Sequence, residues 1–241
     1  MIIYKSLAPI KAITFDLDDT LYPNHQYIIA AEKALMQHIT HRFPAFAQMG
    51  RATWRAMRKQ AISQDPRLAS DMIVLRRKVL ALLFTELGVT ADQCQQEVEL
   101  AYDVFYRARS DFDVLPEYLS CLSQLSQRLP LVAITNGNVD LARIGIEPYF
   151  AKSYHASVTQ PAKPHPCMFQ LAAEYLALQP QQILHVGDNL EKDVWGALRA
   201  GYQAAWFADD REMHLQREPA TLLPHVQLSS LNDLLTLTAQ A

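Results

Sequence analysis

Cysteine and glycine are scarce in this 241-residue chain, and long hydrophobic runs are missing. The three cysteines, Cys94, Cys121 and Cys167, lie far apart and lack the spacing of a metal site, so free thiols in a reducing compartment are expected. No apolar run approaches the roughly 18 residues that a membrane span needs, and Lys5 and Lys11 interrupt the stretch in which a secretory signal would lie. We therefore expect a cytoplasmic protein that does not cross a membrane.

An excess of positive charge is also missing. The chain carries 22 Lys and Arg against 25 Asp and Glu, which gives a formal net charge of −3. Proteins that bind nucleic acid by neutralising phosphates need more cations than this, so we expect no nucleic-acid partner. With 50% hydrophobic residues, the composition excludes a disordered chain and is typical of a globular protein.

Hydrophobic periodicity predicts only helices between residues 24 and 109. Apolar residues recur at helical spacing over 27–39 and again over 80–87. The second of these helices is predicted to begin with Ser70 as its N-cap and to end at Gly88. We expect an all-helical insertion here.

The rest of the chain alternates short apolar strands with helices. Strands are predicted over 10–15, 131–134, 183–186 and 204–207, and helices over about 116–127, 167–178 and 193–200. This alternation is typical of an α/β fold in which a parallel sheet lies between helices. We expect residues 1–22 and 110–241 to form this core domain and residues 23–109 to form a separate helical domain.

Polar residues follow three of the predicted strands, namely Asp16 with Asp18, Thr135 with Asn136, and Asp188. Ligands of open parallel sheets bind beyond the carboxyl ends of the strands. Because these ends meet at one edge of the sheet, we expect the polar side chains to lie together. The loop before the next predicted helix adds Lys163 to the same group.

These residue types suit phosphoryl transfer. Asp16 and Asp18 are two residues apart in a strand pattern and therefore face the same side, so one carboxylate can attack phosphorus while the other exchanges a proton with the leaving oxygen. Mg²⁺ between carboxylate and phosphate would reduce their repulsion, and Asp188 can complete an acidic metal site. Lys163 would supply a second positive charge, and Thr135 a hydroxyl for the phosphoryl oxygens.

Each feature alone also has a simpler interpretation. Aspartates two residues apart occur in loops and helix caps, the segments 135–137 and 187–188 are typical of turns, and a lysine before a helix is often an ordinary surface residue. Their occurrence in this order, each after the expected kind of element, favours a common site.

The same segments resemble the four ordered motifs of the haloacid dehalogenase (HAD) superfamily: Asp16-Leu17-Asp18-Asp19-Thr20-Leu21, Thr135-Asn136-Gly137, Lys163-Pro164 and Gly187-Asp188-Asn189-Leu190-Glu191-Lys192-Asp193. The resemblance spans about residues 10–208. It implies a Rossmann-like core, and it implies that the helical insertion is a cap domain of the family's first cap class.

The resemblance also implies a role for each motif residue. Asp16 would be the nucleophile that forms an aspartyl-phosphate, and Asp18 the general acid/base. The implied phosphate-binding residues are Thr135, Asn136 and Lys163, and the implied Mg²⁺ ligands are Asp16, Asp188 and a main-chain oxygen of Asp18. Asp193 would hold either the metal-bound waters or Lys163.

Over its whole length the chain resembles the YigB-type branch of the superfamily, bacterial phosphatases of FMN and of the riboflavin precursor 5-amino-6-(5-phosphoribitylamino)uracil. We expect a hydrolase of a small phosphomonoester that works as a monomer or weak dimer. The alternatives are a sugar-phosphate phosphatase, a phosphomutase of the same superfamily, and a catalytically silent binding protein with this fold. The superfamily's metal-independent dehalogenases lack the second aspartate of the first motif, which is Asp18 here.

Some residues outside the motifs have two interpretations each. Four aromatic residues of the helical insertion suit either stacking on a planar substrate ring or packing between helices; they are Trp54, Tyr102, Phe105 and Tyr106. Arg107 and Arg109 suit either contact with a substrate phosphate or a solvent-exposed position, and Tyr22 suits the cavity entrance. His185 is expected to be a hydrogen-bonded core residue.

Overall fold

The computed structural model of the chain describes residues 1–49, 51–218 and 222–239. Its strands are β1 (Ile2–Ile3), β2 (Ala12–Phe15), β3 (Leu131–Thr135), β4 (Lys152–His155), β5 (Ile183–Gly187), β6 (Gln203–Trp206) and β7 (Val226–Gln227). Its helices are α1 (Asn24–Arg42), α2 (Arg51–Gln64), α3 (Met72–Glu86), α4 (Ala91–Arg109), α5 (Pro116–Ser126), α6 (Cys167–Leu176), α7 (Gly196–Arg199) and α8 (Asp233–Leu237). Among these described residues, no helix is both long and apolar enough to cross a membrane.

The strands form one sheet in the order β1-β7-β6-β5-β2-β3-β4. β1 pairs with β7 in antiparallel fashion, and the other neighbours are parallel. β2, β3, β5 and β6 are buried at every residue, as expected for strands covered on both faces. The α/β prediction is therefore confirmed. Phe15 of β2 lies opposite both Val186 and Ala133, so the carboxyl ends of three central strands meet at one edge.

Alternate residues of the central strands supply two hydrophobic clusters, one on each face of the sheet. Ile13 and Phe15 belong to the cluster covered by α5 and α8. Ala12 belongs to the cluster covered by α6. The buried strands are thus fixed from both sides, which holds the residues that follow them in place.

The segment from Asn24 to Arg109, which we call the helical block, contains α1 to α4 and no described strand. α1 packs on α4, and α3 packs on both α2 and α4. Its buried side chains form a hydrophobic cluster of their own, separate from the two at the sheet; the fully buried members include Ala31, Leu35, Ile39, Leu80 and Phe105. The division into two domains at residues 22/23 and 109/110 stays a prediction.

Three predictions about the elements were wrong in detail. Asp71, and not Ser70, is the N-cap of α3, because the Asp71 carboxylate accepts from the Val74 N–H at 2.8 Å. The helix predicted over 193–200 is a π-helical turn, Leu190–Trp195, followed by the short α7. The first predicted strand begins at Ala12 instead of residue 10.

Candidate active site

Asp16 and Asp18 lie in the loop that leaves the carboxyl end of β2. The Asp16 N–H still donates to the carbonyl of Val186 at 2.8 Å, which continues the pairing with β5, so the sheet fixes the position of Asp16. Leu17 between them is fully buried in the core, while both aspartates line one cavity. The alternation expected from the sequence therefore extends past the end of the strand.

This cavity at the carboxyl edge of the sheet, which we call the strand-end cavity, has a volume of about 530 Å³. Among the predicted site residues it is lined by Asp16, Asp18, Thr135, Asn136, Lys163 and Asp188. The helical block contributes Ile28, Arg76, Phe105 and Arg109 to its walls. Asp193, the remaining predicted residue, contacts Lys163 at 2.6 Å.

Lys163 is a buried cation between two carboxylates. Its Nζ lies 2.7 Å from Asp16 Oδ1 and 2.6 Å from Asp193 Oδ1, and it donates to the carbonyl of Ile134 at 2.6 Å. These three contacts use all three ammonium donors. Burial alone would lower the pKa of Lys163, but the two carboxylates outweigh burial and raise it, so the side chain stays charged.

Asp193 is held by a short chain of hydrogen bonds inside the core. Its Oδ1 lies 3.2 Å from His185 Nε2, its Oδ2 accepts from the Asn189 N–H at 3.0 Å, and His185 Nδ1 lies 2.8 Å from the Thr14 hydroxyl. Burial would raise the pKa of Asp193, yet Lys163 and His185 hold it well below its usual range. Burial lowers the pKa of His185, so its ring is neutral and donates from Nε2 to the ionised Asp193.

At Asp16 and Asp188, burial outweighs the neighbouring cations, which are Lys163 and Arg211. Burial raises the pKa of Asp16 well above its ordinary value despite Lys163. Burial, together with the charge of Asp193, raises the pKa of Asp188 to about 7. A further positive charge beside the two carboxylates would lower both pKa values and stabilise their ionised forms.

A divalent cation fits this position. One carboxylate oxygen from each of Asp16, Asp188 and Asp193 lies within 4.8 Å of the others. Both carboxylate oxygens of Asp193 already accept contacts from Lys163, His185 and a main-chain N–H. The oxygens that remain available to a metal ion therefore belong to Asp16 and Asp188. Carboxylate oxygens beside an open cavity are ligands that suit Mg²⁺, which usually keeps several waters. The Asp18 side chain does not belong to this acidic group.

Arg211 reaches Asp188 from the segment after β6. Its Nη1 lies 3.1 Å from Asp188 Oδ2, and its Nη2 donates to the Asp188 carbonyl at 3.0 Å. The indole N–H of Trp206 donates to the same carbonyl at 2.6 Å. These contacts fix the main chain of Asp188, and no motif at Arg211 predicts them.

Asp18 is held by two donors of its own. Arg109 Nη2 lies 2.5 Å from Asp18 Oδ1, and the Tyr22 hydroxyl donates to the same oxygen at 2.6 Å. Burial raises the pKa of Tyr22 well above its ordinary value, so the hydroxyl keeps its proton. Both side chains are almost fully buried, at 1% exposure. Arg109 is therefore not solvent-exposed, and because it lines the strand-end cavity, its contact with a substrate phosphate stays a prediction. Tyr22 is buried against Asp18 instead of lying at the cavity entrance.

The loop after β3 contributes the expected Thr135 hydroxyl. The Asn136 side-chain amide, in contrast, binds the main chain of Lys163. The Gly137 N–H donates to Thr135 Oγ1 at 2.9 Å, which leaves the Thr135 proton free for a ligand. The Asn136 side chain accepts from the Lys163 N–H at 2.7 Å and donates to the Lys163 carbonyl at 3.0 Å. Asn136 thus positions the Lys163 loop, and its contact with a phosphoryl group stays a prediction.

The four aromatic residues for which stacking or packing is predicted do not share one environment. Phe105 lines the strand-end cavity beneath Arg76, whose guanidinium lies 3.5 Å from the ring centre. Tyr102 stacks on Tyr106 at 5.8 Å between ring centres. Trp54 lines a second, larger cavity of about 1050 Å³. This outer cavity lies between α1, the turn Pro44–Gln48 and the start of α2.

Comparison with known proteins now identifies the class. A family model described as haloacid dehalogenase-like hydrolase matches residues 10–201, which is most of the chain. The chain therefore belongs to the haloacid dehalogenase-like hydrolases, and the predicted family is confirmed.

Individual relatives match over nearly the whole chain. The chain is 34% identical over 234 residues to 5-amino-6-(5-phospho-D-ribitylamino)uracil phosphatase YigB of Escherichia coli (strain K12), which covers 97% of this chain and 98% of that protein. It is 30% identical over 204 residues to a glyceraldehyde 3-phosphate phosphatase of Methanopyrus kandleri, covering 80% and 81%. The crystal structure of a 2-haloacid dehalogenase from Pseudomonas syringae pv. Tomato DC3000 superposes with a TM-score of 0.89 at 30% identity, covering 96% of this chain and 99% of that one.

Proposed function

We propose that this chain is a Mg²⁺-dependent phosphatase that hydrolyses a small phosphomonoester through an aspartyl-phosphate on Asp16. The observation that carries the proposal is the setting of the Asp16 carboxylate. It lines a cavity, lies 2.7 Å from the buried cation of Lys163 and lies close to a second carboxylate, Asp188. A nucleophilic carboxylate needs such positive charge before it can approach an anionic phosphate. The hydrolase family and the two phosphatases similar to the chain support the reaction class.

Each residue has a defined task in the proposed reaction. Asp16 attacks phosphorus while Lys163 orients it, and Thr135 donates its hydroxyl proton to a phosphoryl oxygen. Asp18 gives a proton to the leaving oxygen as the ester P–O bond breaks, and later takes a proton from the water that hydrolyses the aspartyl-phosphate. Mg²⁺, held by Asp16, Asp188 and a main-chain oxygen of Asp18, would supply further positive charge beside the phosphoryl group.

Dehalogenation is the competing reaction, because a solved 2-haloacid dehalogenase is similar over nearly the whole chain. Halide leaves without being protonated, whereas an alkoxide leaving group needs an acid. Asp18 lies beside Asp16, lines the same cavity and is ordered by two donors. This arrangement favours a leaving oxygen over a halide.

We further propose that the substrate is FMN or the riboflavin precursor 5-amino-6-(5-phosphoribitylamino)uracil. Both carry a flat heterocycle at the end of a phosphorylated polyol chain. The outer cavity supports this choice, because it is largely apolar, contains Trp54 and shares Ile28 with the strand-end cavity. Ile28 and Glu32 lie on one face of α1, since residues four apart on a helix are neighbours. Glu32 pairs with Arg76 at 2.8 Å, so polar groups suited to hydroxyls lie between the two cavities.

A metabolite screen tests the reaction and the substrate together. Purified protein is assayed with FMN, the ribitylaminouracil phosphate, small sugar phosphates and 2-haloacids, with Mg²⁺ and with EDTA, and the substrates are ranked by kcat/KM. We expect metal-dependent phosphate release, with FMN or the precursor ranked first. Halide release, or no turnover of any phosphomonoester by folded protein, would refute the proposal.

Two variants separate the nucleophile from the substrate pocket. Asp16→Asn is expected to abolish turnover while the fold is retained, and near-normal rates would remove the nucleophile assignment. Trp54→Ala is expected to raise KM for FMN and to leave KM for a small sugar phosphate unchanged, because only the larger substrate reaches the outer cavity. An equal effect on both substrates would exclude the outer cavity as the ring site.

We propose that residues 23–109 act as a cap domain over a core of residues 1–22 and 110–241. The separate hydrophobic cluster of the helical block supports this division. The three cysteines are free, which supports a cytoplasmic location. Size-exclusion chromatography with light scattering tests the proposed monomer or weak dimer.

A further inference from the structure

The two buried donors on Asp18 both contact the same carboxylate oxygen. Arg109 Nη2 and the Tyr22 hydroxyl lie 2.5 and 2.6 Å from Asp18 Oδ1. A carboxylate oxygen that already accepts two hydrogen bonds, one of them from a cation, is a poor place for a proton. A proton on Asp18 is therefore directed to Oδ2.

The other oxygen, Oδ2, lies against the main chain of Gly137, in the loop that carries Thr135. A methyl group added to Gly137 would lie 2.5 Å from Asp18 Oδ2 and 3.3 Å from Thr135 Oγ1. Asp18 Oδ2 and the Thr135 hydroxyl therefore both lie close to the open face of Gly137. The Oδ1 contacts fix the orientation of the Asp18 side chain, so Oδ2 lies on the side of Gly137 and Thr135.

Arg109 is the last residue of α4 and belongs to the helical block, whereas Asp18 follows β2. The Arg109 side chain is 1% exposed, and Arg109 Nη1 is buried without a hydrogen-bond partner in the described structure. Burying an arginine with an unsatisfied donor costs free energy. An apolar residue at this helix end would pack without that free-energy cost. Packing alone therefore does not explain the arginine, and its charge has a role in the site.

We propose that Arg109 is a positioning residue for proton transfer: together with Tyr22 it fixes Asp18 Oδ1, so that Oδ2 delivers the proton to the ester oxygen. In the step concerned, the bond from Asp16 to phosphorus forms, the ester P–O bond breaks, and the proton on Oδ2 moves to the departing oxygen. This inference rests on the proposed phosphatase function. It assigns part of the catalytic geometry to the helical block.

The leaving group provides the test, since kcat/KM reports the steps up to the first irreversible one, formation of the aspartyl-phosphate. An alkyl phosphate needs the proton, whereas 4-nitrophenyl phosphate has a stable leaving anion and needs it far less. For Arg109→Met we expect kcat/KM to fall by about 100-fold with an alkyl phosphate, the size of effect that misplacement of a catalytic group produces, and by only a few-fold with 4-nitrophenyl phosphate. A residue with only a structural role would lower both values equally, and that result would overturn the inference.

Two further variants make the test independent of folding problems. Tyr22→Phe removes the other donor to Oδ1 and keeps the ring, so it should show the same selectivity for alkyl phosphates with a smaller loss, about tenfold. Arg107→Met is the matched control, because Arg107 lies in the same helical turn but is exposed and pairs with Asp103 at 2.8 Å. It should leave both kcat/KM values unchanged.

A double variant shows whether Arg109 acts through Asp18. In an Asp18→Asn background the proton donor is already absent, so adding Arg109→Met should cause no further loss with the alkyl phosphate. A further loss of tenfold or more would show that Arg109 acts elsewhere and would overturn the inference. Failure of the proposed function looks different, because wild-type protein would then hydrolyse neither substrate or Asp16→Asn would stay active.

Discussion

Among the described residues, Lys163 is the only cation that contacts both Asp16 and Asp193. Replacing it by methionine removes this positive charge. Nζ lies 2.7 Å from Asp16 and 2.6 Å from Asp193, and the lysine and Asp193 side chains are both 1% exposed. Methionine fills a similar volume, so the change isolates the charge and its three hydrogen bonds. The carbonyl of Ile134 also loses its donor.

The expected loss of stability is large. Removing one partner of a buried ion pair leaves an uncompensated charge and costs about 3–5 kcal/mol. Solvent screens this pair very little, because the Lys163 and Asp193 side chains are each only 1% exposed. For a protein of this size each kcal/mol lowers Tm by about 2–4 °C, so Tm should fall by about 6–20 °C.

The loss should depend on pH in a definite direction. In the wild type, Lys163 and His185 hold the pKa of Asp193 below its usual range, so this carboxylate stabilises the fold above its unfolded pKa and loses that effect as the pH falls through the folded value. Without the cation, burial raises the folded pKa above the unfolded one. The variant is then most stable in acid and becomes less stable as the pH rises, so the difference from wild type is largest near pH 8 and smaller near pH 5.

Urea denaturation followed by tryptophan fluorescence, at both pH values and without Mg²⁺, measures the effect. Lys192→Met is the matched control, because Lys192 lines the same cavity but is exposed, and its loss should change stability by less than about 0.5 kcal/mol. If Lys163→Met lost less than about 1 kcal/mol near pH 8, or no more than Lys192→Met, the electrostatic reasoning about this site would be wrong.

Three more predictions follow from individual contacts. Burial raises the pKa of Asp188 to about 7, so its contribution to stability is present in acid and is lost as the pH rises through about 7. Because Mg²⁺ binds the ionised carboxylate, thermal scans should show a larger Mg²⁺-induced rise in Tm at pH 8 than at pH 6. Equal rises would contradict the metal assignment. A Cβ on Gly187 would overlap the Asp193 side chain, so Gly187→Ala should lower stability by about 1–3 kcal/mol and impair turnover, and a variant with wild-type Tm and rate would refute this close packing. Phe84 is 1% exposed within the hydrophobic cluster of the helical block, so Phe84→Ala should cost about 3–5 kcal/mol in denaturant unfolding, whereas a change below about 1 kcal/mol would mean that the cluster repacks.

The central strands were predictable because their sequences are short, apolar and buried on both faces. β2, β3, β5 and β6 all fall within or close to the predicted strands. β1 and β7 are only two residues long, and β4 has the polar sequence KSYH with no fully buried residue. These segments are strands because they pair with neighbours that are distant in the sequence. The local hydrophobic pattern does not indicate such pairing.

The same distinction applies to the site. Asp16, Thr135 and Asp188 were predictable because each follows a predictable strand, and strand ends meet at one edge. Arg109 lies 91 residues from Asp18, and Arg211 lies 23 residues from Asp188. Neither arginine is in a motif, and each reaches its partner only because of the folded path of the chain. A charged residue at the end of an amphipathic helix is the only signal that marks Arg109 in the sequence.

Asp16 and Asp18 show how neighbouring residues of one type acquire different surroundings. Asp16 contacts an ammonium that it shares with a second buried carboxylate, and its remaining oxygen lies close to Asp188. Asp18 instead contacts a guanidinium and a phenol that converge on one oxygen, which leaves its other oxygen beside Gly137. Different neighbours determine what two otherwise equal carboxylates do. In the proposed mechanism, the first attacks phosphorus beside its cation, and the second delivers a proton from one defined oxygen. Lys163 and Arg109, which lie far from both aspartates in the sequence, create this difference in surroundings.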